Sequence, residues 1–123
     1  MSRNRSTREI AERLVALCRK MKWDEAQKEL YARDAVSIEP REGGGFAKET
    51  KGLDAIEAKG RQWAAMVEKV HSIKVSDPVV ADNVFACVME MDISMKGQGR
   101  MKMSELCVYE MKDGKIVSEH FHM

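Results

Sequence analysis

From Phe85 to Met95 every second residue is apolar: Phe85, Cys87, Met89, Met91, Ile93 and Met95, with Ala86, Val88, Glu90, Asp92 and Ser94 between them. A period of two marks a strand with one buried face. Lys96-Gly97-Gln98-Gly99 then supplies a hairpin turn. The return, Arg100–Met111, puts Met101, Met103, Cys107 and Tyr109 on one face and Arg100 and Lys102 on a solvated one. Such a chain builds an antiparallel hairpin and has to cover its greasy side. Glu105 falls inside the greasy row. A carboxylate that breaks a one-face pattern is a candidate functional group.

The cover comes from the first half of the chain. Ser6 and Glu9 form a capping-box signature, followed by Ile10, Leu14, Leu17, Cys18 and Met21 at helical spacing. A second short helix is expected over Asp24–Tyr31, and Asp34 is expected to fix the turn into an extended segment, Ala35–Glu39, which Pro40 ends. Arg41-Glu42-Gly43-Gly44-Gly45 reads as a flexible loop. It lacks the strand–helix context and Lys-Ser/Thr pair of a phosphate cradle. The longest helix opens at Gly52-Leu53-Asp54, with Leu53, Ile56, Gly60, Trp63, Val67 and Val70 on one stripe and Gly60 permitting close approach of a neighbour. Strands follow at Val70–Val75 and, after turns at Asp77-Pro78 and Ala81-Asp82-Asn83, at Phe85–Met95 and Arg100–Met111. Lys112-Asp113-Gly114-Lys115 turns into the last, Ile116–Met123. Helices first and a meander second imply an α+β fold, a strongly bent, mostly antiparallel sheet wrapped around the long helix.

The 123 residues suit one domain, 1–123, able to bury a core without staples. A net charge of +1 removes the electrostatic case for nucleic acid or an anionic membrane as partner. Cys18, Cys87 and Cys107 lie in apolar-periodic stretches with no CxxC, which suits a reducing cytoplasm. No apolar run follows the basic start, so a signal peptide is not expected, and no stretch approaches the roughly 18 apolar residues of a membrane span. The chain holds ten Met against two Trp, two Tyr and three Phe. Met89, Met91, Met95, Met101 and Met103 cluster on the hairpin, a flexible, polarizable wall suited to varied apolar ligands.

Leu30-Tyr31-Ala32-Arg33-Asp34-Ala35-Val36-Ser37-Ile38-Glu39-Pro40, the glycine-marked helix and the hairpin Asp113-Gly114-Lys115-Ile116 resemble the SnoaL-like and ketosteroid-isomerase-like superfamily, the nuclear transport factor 2-like cone fold. The resemblance covers essentially the whole chain. It implies a cystatin-like cone with a cavity between sheet and helices, and a homodimer packed through the outer sheet face. In ketosteroid isomerases the carboxylate before the Pro is the general base, and Glu39 stands there. A second, protonated acid on the penultimate strand donates to the developing oxyanion. Matching Tyr109 to the family's aromatic, with the next turn one residue longer, puts Glu105 at that position. The family's first-helix tyrosine falls at Leu14 or Val15, neither of which donates a hydrogen bond. Glu119, Phe121 and Met123 would face the cavity, and His120 and His122 the outer face, in a sheet-surface or dimer-contact role.

A carboxyl in a Met- and Cys-lined cavity loses hydration and holds its proton to higher pH. Two such groups tend to split into an ionised base and a protonated donor, the pair needed to remove a proton beside a carbonyl. The expected catalytic residues are therefore Glu39 and Glu105, with Trp63, Cys87, Met89, Met91, Met101, Met103, Glu119 and Phe121 lining the ligand site. No cofactor and no metal are expected; the partner is a small hydrophobic molecule. Turnover by an isomerase or cyclase, ligand binding without turnover, and a protein-interaction dimer are the three functions open at this point. His71 is expected to be a satisfied residue at the sheet margin.

Overall fold

Ser6 caps the first helix as its sequence demands: its side chain accepts from the Glu9 backbone while the Glu9 carboxylate accepts from the Ser6 backbone. A computed structural model describes residues 5–43 and 45–123; Met1–Asn4 of the basic start and Gly44 of the glycine loop lie outside the described residues. The helix, α1 (Thr7–Arg19), is followed by α2 (Trp23–Leu30), β1 (Tyr31–Ile38), β2 (Glu49–Lys51), α3 (Leu53–Met66), β3 (Val67–Val75), β4 (Val79–Ala81), β5 (Val84–Met95), β6 (Gly99–Lys112) and β7 (Lys115–His122). The strands form one curved sheet in the order β2-β1-β7-β6-β5-β3, with β4 also on β5. Every pairing is antiparallel except β1 with β7.

The long hairpin keeps the register its alternation demands. Phe85 stands opposite Tyr109, Cys87 opposite Cys107, Met89 opposite Glu105, Met91 opposite Met103 and Ile93 opposite Met101. Asp113 and Gly114 both take positive φ (52° and 77°), the two-residue turn that matches strand twist. The edge facing β5 is broken at Asp77-Pro78, where β3 gives way to β4. Ser76 bridges the break, its amide donating to the Val88 carbonyl at 2.9 Å and its hydroxyl accepting from the Val88 amide at 2.8 Å. Arg19 closes the same place from α1, donating to the Val75 carbonyl at 2.8 Å and to Asp77 at 2.9 Å.

Four expectations change. Helix α2 stops at Leu30 and β1 begins at Tyr31, so the switch into strand precedes Asp34, which is an exposed residue within β1. Val67 leaves the helical stripe for β3, where it pairs with Met95, and of the two expectations for Val70 the strand holds, since it pairs with Ile93. Two three-residue edge strands, β2 and β4, are too short to show a period. At Gly60 a Cβ would sit 4.0 Å from the Gln27 side chain, ordinary contact, so no close approach requires the glycine.

The core is thickest where α1 covers the sheet. Ile10, Leu14, Val15, Leu17 and Cys18 are buried in one cluster with Phe85, Tyr109, Tyr31 and Ile116, and Phe85 stacks on Tyr109 with ring centroids 4.8 Å apart. Helix α3 behaves differently. It packs on β1, β2 and α2 and meets β3, and Ile56 is its one buried residue. Leu53, Trp63 and Met66 remain half-buried, as do Met101, Met103 and Phe121 on the sheet.

Candidate functional site

The parallel pairing of β1 with β7 brings Ser37 beside Glu119, and antiparallel pairing puts Tyr109 on the other side of Glu119. Glu119 is 4% exposed and Ser37 is fully buried. The carboxylate accepts from Ser37 Oγ at 2.6 Å and from the Tyr31 hydroxyl. Burial pushes the Glu119 carboxyl above its ordinary value, and the two hydroxyls only partly oppose this. Burial, then the nearby Glu119, holds the Tyr31 hydroxyl well above its usual range.

Lys59 reaches this row from α3. Its Nζ donates to Ser37 Oγ at 2.6 Å and to Glu39 Oε1 at 3.0 Å, and stands 5.9 Å from the centre of the Phe121 ring. The Lys59 side chain is 14% exposed and that of Glu39 25%, so this ion pair is shielded from solvent far more than an ordinary surface pair. Glu39 follows directly on β1, where its amide donates to the Lys48 carbonyl at 2.7 Å.

Glu105 lies two residues before Cys107 on the same inner face, opposite Met89. Among the described residues no cation pairs with it; the Cys107 thiol donates to Oε1 at 3.8 Å. Its carboxyl is pushed up to about 7, first by burial and then by the Glu39 charge. Glu119 adds to the rise, while the Cys107 thiol and the Lys59 ammonium oppose it. A carboxylic acid with that value is half protonated at neutral pH and can give or take a proton there.

The remaining expected residues fall as follows. Cys87, Met89 and Met91 are buried; Trp63, Met101, Met103 and Phe121 are half-buried and packed against the core. Met123 is 62% exposed: β7 ends at His122, so the alternation that placed Met123 inside no longer applies. Leu14 and Val15 are buried on α1. The His120 and His122 rings lie 4.1 Å apart, tilted by 31°, with Val108 and Leu106 opposite them on β6. His71 Nε2 is bonded to Ser94 Oγ at 2.7 Å. Among the described residues no three His, Cys, Asp or Glu side chains are grouped to hold a metal. All three cysteines are free and buried, and burial pushes the Cys18 thiol up to about 12.

Tyr31, Ser37 and Lys59 are functional candidates that sequence reasoning missed. A signal existed for one of them: Lys59 lies three residues after Ile56 and four before Trp63, inside the stripe that faces the sheet. Tyr31 and Ser37 had none, because parallel pairing joins them to a residue 88 and 82 positions away.

A family model for the SnoaL-like domain matches residues 5–123. The chain belongs to the SnoaL-like family. A proposed SnoaL-like polyketide cyclase from Mesorhizobium loti is similar over 94% of this chain and 97% of its own, at 30% identity and a TM-score of 0.86. A Xanthomonas campestris protein of unknown function with a cystatin-like fold shares 15% identity at a TM-score of 0.81, over 95% of this chain and 89% of its own. TerC, co-crystallized with polyporic acid, shares 12% identity at a TM-score of 0.76, over 95% of this chain and 90% of its own. At those last identities the likeness shows the fold alone. No curated protein matches the chain. Among the described residues no helix of this SnoaL-like protein is long and apolar enough to cross a membrane.

Proposed function

We propose that this SnoaL-like protein binds a small hydrophobic carbonyl compound between α3 and the inner sheet face and moves a proton on it with Glu39 and Glu105. The observation that carries this reading is Glu105: a half-buried carboxyl with no cation paired to it among the described residues, in a row of methionines, holding its proton up to about 7. Trp63, Met66, Met101, Met103 and Phe121, half-buried and packed against the core on α3 and the sheet, supply apolar surface for such a ligand. Glu39, ionised beside Lys59, takes the proton from the carbon next to the carbonyl. Protonated Glu105 donates to the oxygen on which negative charge develops. Turnover then requires Glu105 to keep its proton, so the rate falls as pH rises through about 7.

A second reading keeps the chamber and drops the turnover. It is favoured by Leu14 and Val15, which leave no hydroxyl at the family's first-helix position. On the outer face Val88 and Leu106, opposite each other, are 39% and 42% exposed, and with Val108, His120 and His122 they form the patch through which we expect a homodimer. The free, buried cysteines fit a reducing cytoplasm.

The decisive comparison is wild type against Glu39→Gln in a screen of enone and polyketide-like substrates. The enzyme reading expects turnover to drop by about 100-fold or more while ligand-induced thermal stabilisation persists. Unchanged turnover would remove Glu39 as the base. Stabilisation without turnover in the wild type selects the binding reading.

A further inference from the structure

We propose that Lys59 is the cation that receives the substrate oxygen, and that the ligands of this site are acidic carbonyl compounds whose enolate, formed when Glu39 takes the proton, Lys59 holds; a phenolate mimics that enolate. This rests on the proton-transfer reading of the same chamber and adds to it the group that binds the charge and the class of ligand.

An ammonium has three N–H donors. Ser37 Oγ and Glu39 Oε1 occupy two, at 2.6 and 3.0 Å. The third has no side-chain acceptor among the described residues, and the Nζ stands over the Phe121 ring on the inner face. At 14% exposure the cation is largely withdrawn from water, where its attraction for an oxyanion is strongest. Ser37, held in turn by buried Glu119, fixes the ammonium from below.

The side-by-side placement of Lys59 and Glu39 matches the reaction. In a carbonyl substrate the oxygen and the acidic carbon are bonded to the same carbon, so base and oxygen-binding cation have to act as neighbours. When Glu39 removes the proton, the C–H electron pair becomes the enolate, and negative charge passes from the carboxylate to the substrate oxygen. Lys59 exchanges one anionic partner for the other, and the total charge of the three groups is unchanged. Little has to reorganise, which is the condition for electrostatic catalysis. With Leu14 and Val15 buried and apolar on α1, Lys59 supplies the positive contact that no first-helix hydroxyl can.

The test titrates the full chain with 4-nitrophenol, whose visible absorbance reports its ionised fraction, and with 4-nitroanisole, a neutral match. Wild type is expected to bind the phenol as phenolate. Lys59→Met should bind it about tenfold more weakly and as the neutral phenol, and Lys59→Arg should retain the ionised signature. Glu39→Gln should bind the phenolate more tightly than wild type, because Lys59 loses its competing anion. 4-Nitroanisole should bind wild type and Lys59→Met alike. Equal phenolate fraction and affinity in wild type and Lys59→Met overturns the inference. If Lys59→Met does not fold, weaker phenolate binding by Glu39→Gln overturns it instead. Failure of both probes to bind wild type overturns the chamber reading and this inference with it, an outcome distinct from the other two.

Discussion

Glu119 and Glu105 stand on neighbouring strands, both on the inner face and both raised above the usual carboxylate range by burial. Their surroundings separate them. Glu119 lies at the end of the sheet that α1 seals, among Tyr109, Ser37 and Tyr31, and two hydroxyls donate to it. Glu105 lies opposite buried Met89 and toward Met103 and Met101, which stay half-buried, and among the described residues its one donor is a thiol. The same period-two pattern thus yields a closed half whose carboxylate has two hydroxyl donors and a half-buried one whose carboxyl has, among the described residues, no cation. A buried polar group whose partners are complete reads as structure, and one whose partners are missing reads as a place for a ligand.

Truncations should expose the difference first. Phe85→Ala removes a ring stacked on Tyr109 in the sealed half and is expected to cost about 3–5 kcal/mol. Met103→Ala, in the half-open row, should cost roughly 1 kcal/mol in the same denaturant titration. Equal losses would mean that the two halves are packed alike.

The carboxylates should respond with opposite signs. Glu119→Ala leaves the Tyr31 hydroxyl buried without a partner and should destabilise by roughly 3 kcal/mol. Glu105→Gln should stabilise above neutrality. The folded-state value of Glu105 lies above the ordinary 4.5, so its contribution is fully present below about 4.5 and is lost as pH rises through about 7. The glutamine variant escapes that loss, a gain of about 2 kcal/mol at pH 8 once the half-open setting is allowed for. Thermal unfolding at pH 5 and pH 8 reads the sign: the variant's advantage should be small at pH 5 and several times larger at pH 8.

Much of this was visible in the chain before any fold was known. The hairpin register follows from alternation, and Glu105 stood out because it interrupts an apolar row. The Ser6–Glu9 capping box and the Asp113-Gly114 turn are local and were equally readable. What escaped was set by partners distant in sequence. Val67 fits a helical stripe until β5 claims it, and Tyr31 continues a helix until β7 offers Ile116. The Tyr31–Glu119–Ser37–Lys59–Glu39 chain exists only because a parallel pairing and a helix laid over it gather five residues from three parts of the sequence. No spacing rule encodes such a meeting.

The contrast between the two carboxylates turns on the proton that Glu105 carries. A carbon-13 NMR titration of the glutamate side-chain carboxyls, with Glu105→Gln to assign the resonance, measures it directly. The account predicts that this carboxyl titrates with a midpoint of about 7. A midpoint near the ordinary 4.5 would leave Glu105 ionised at neutral pH and contradict the proposal that it is the proton-holding member of the pair.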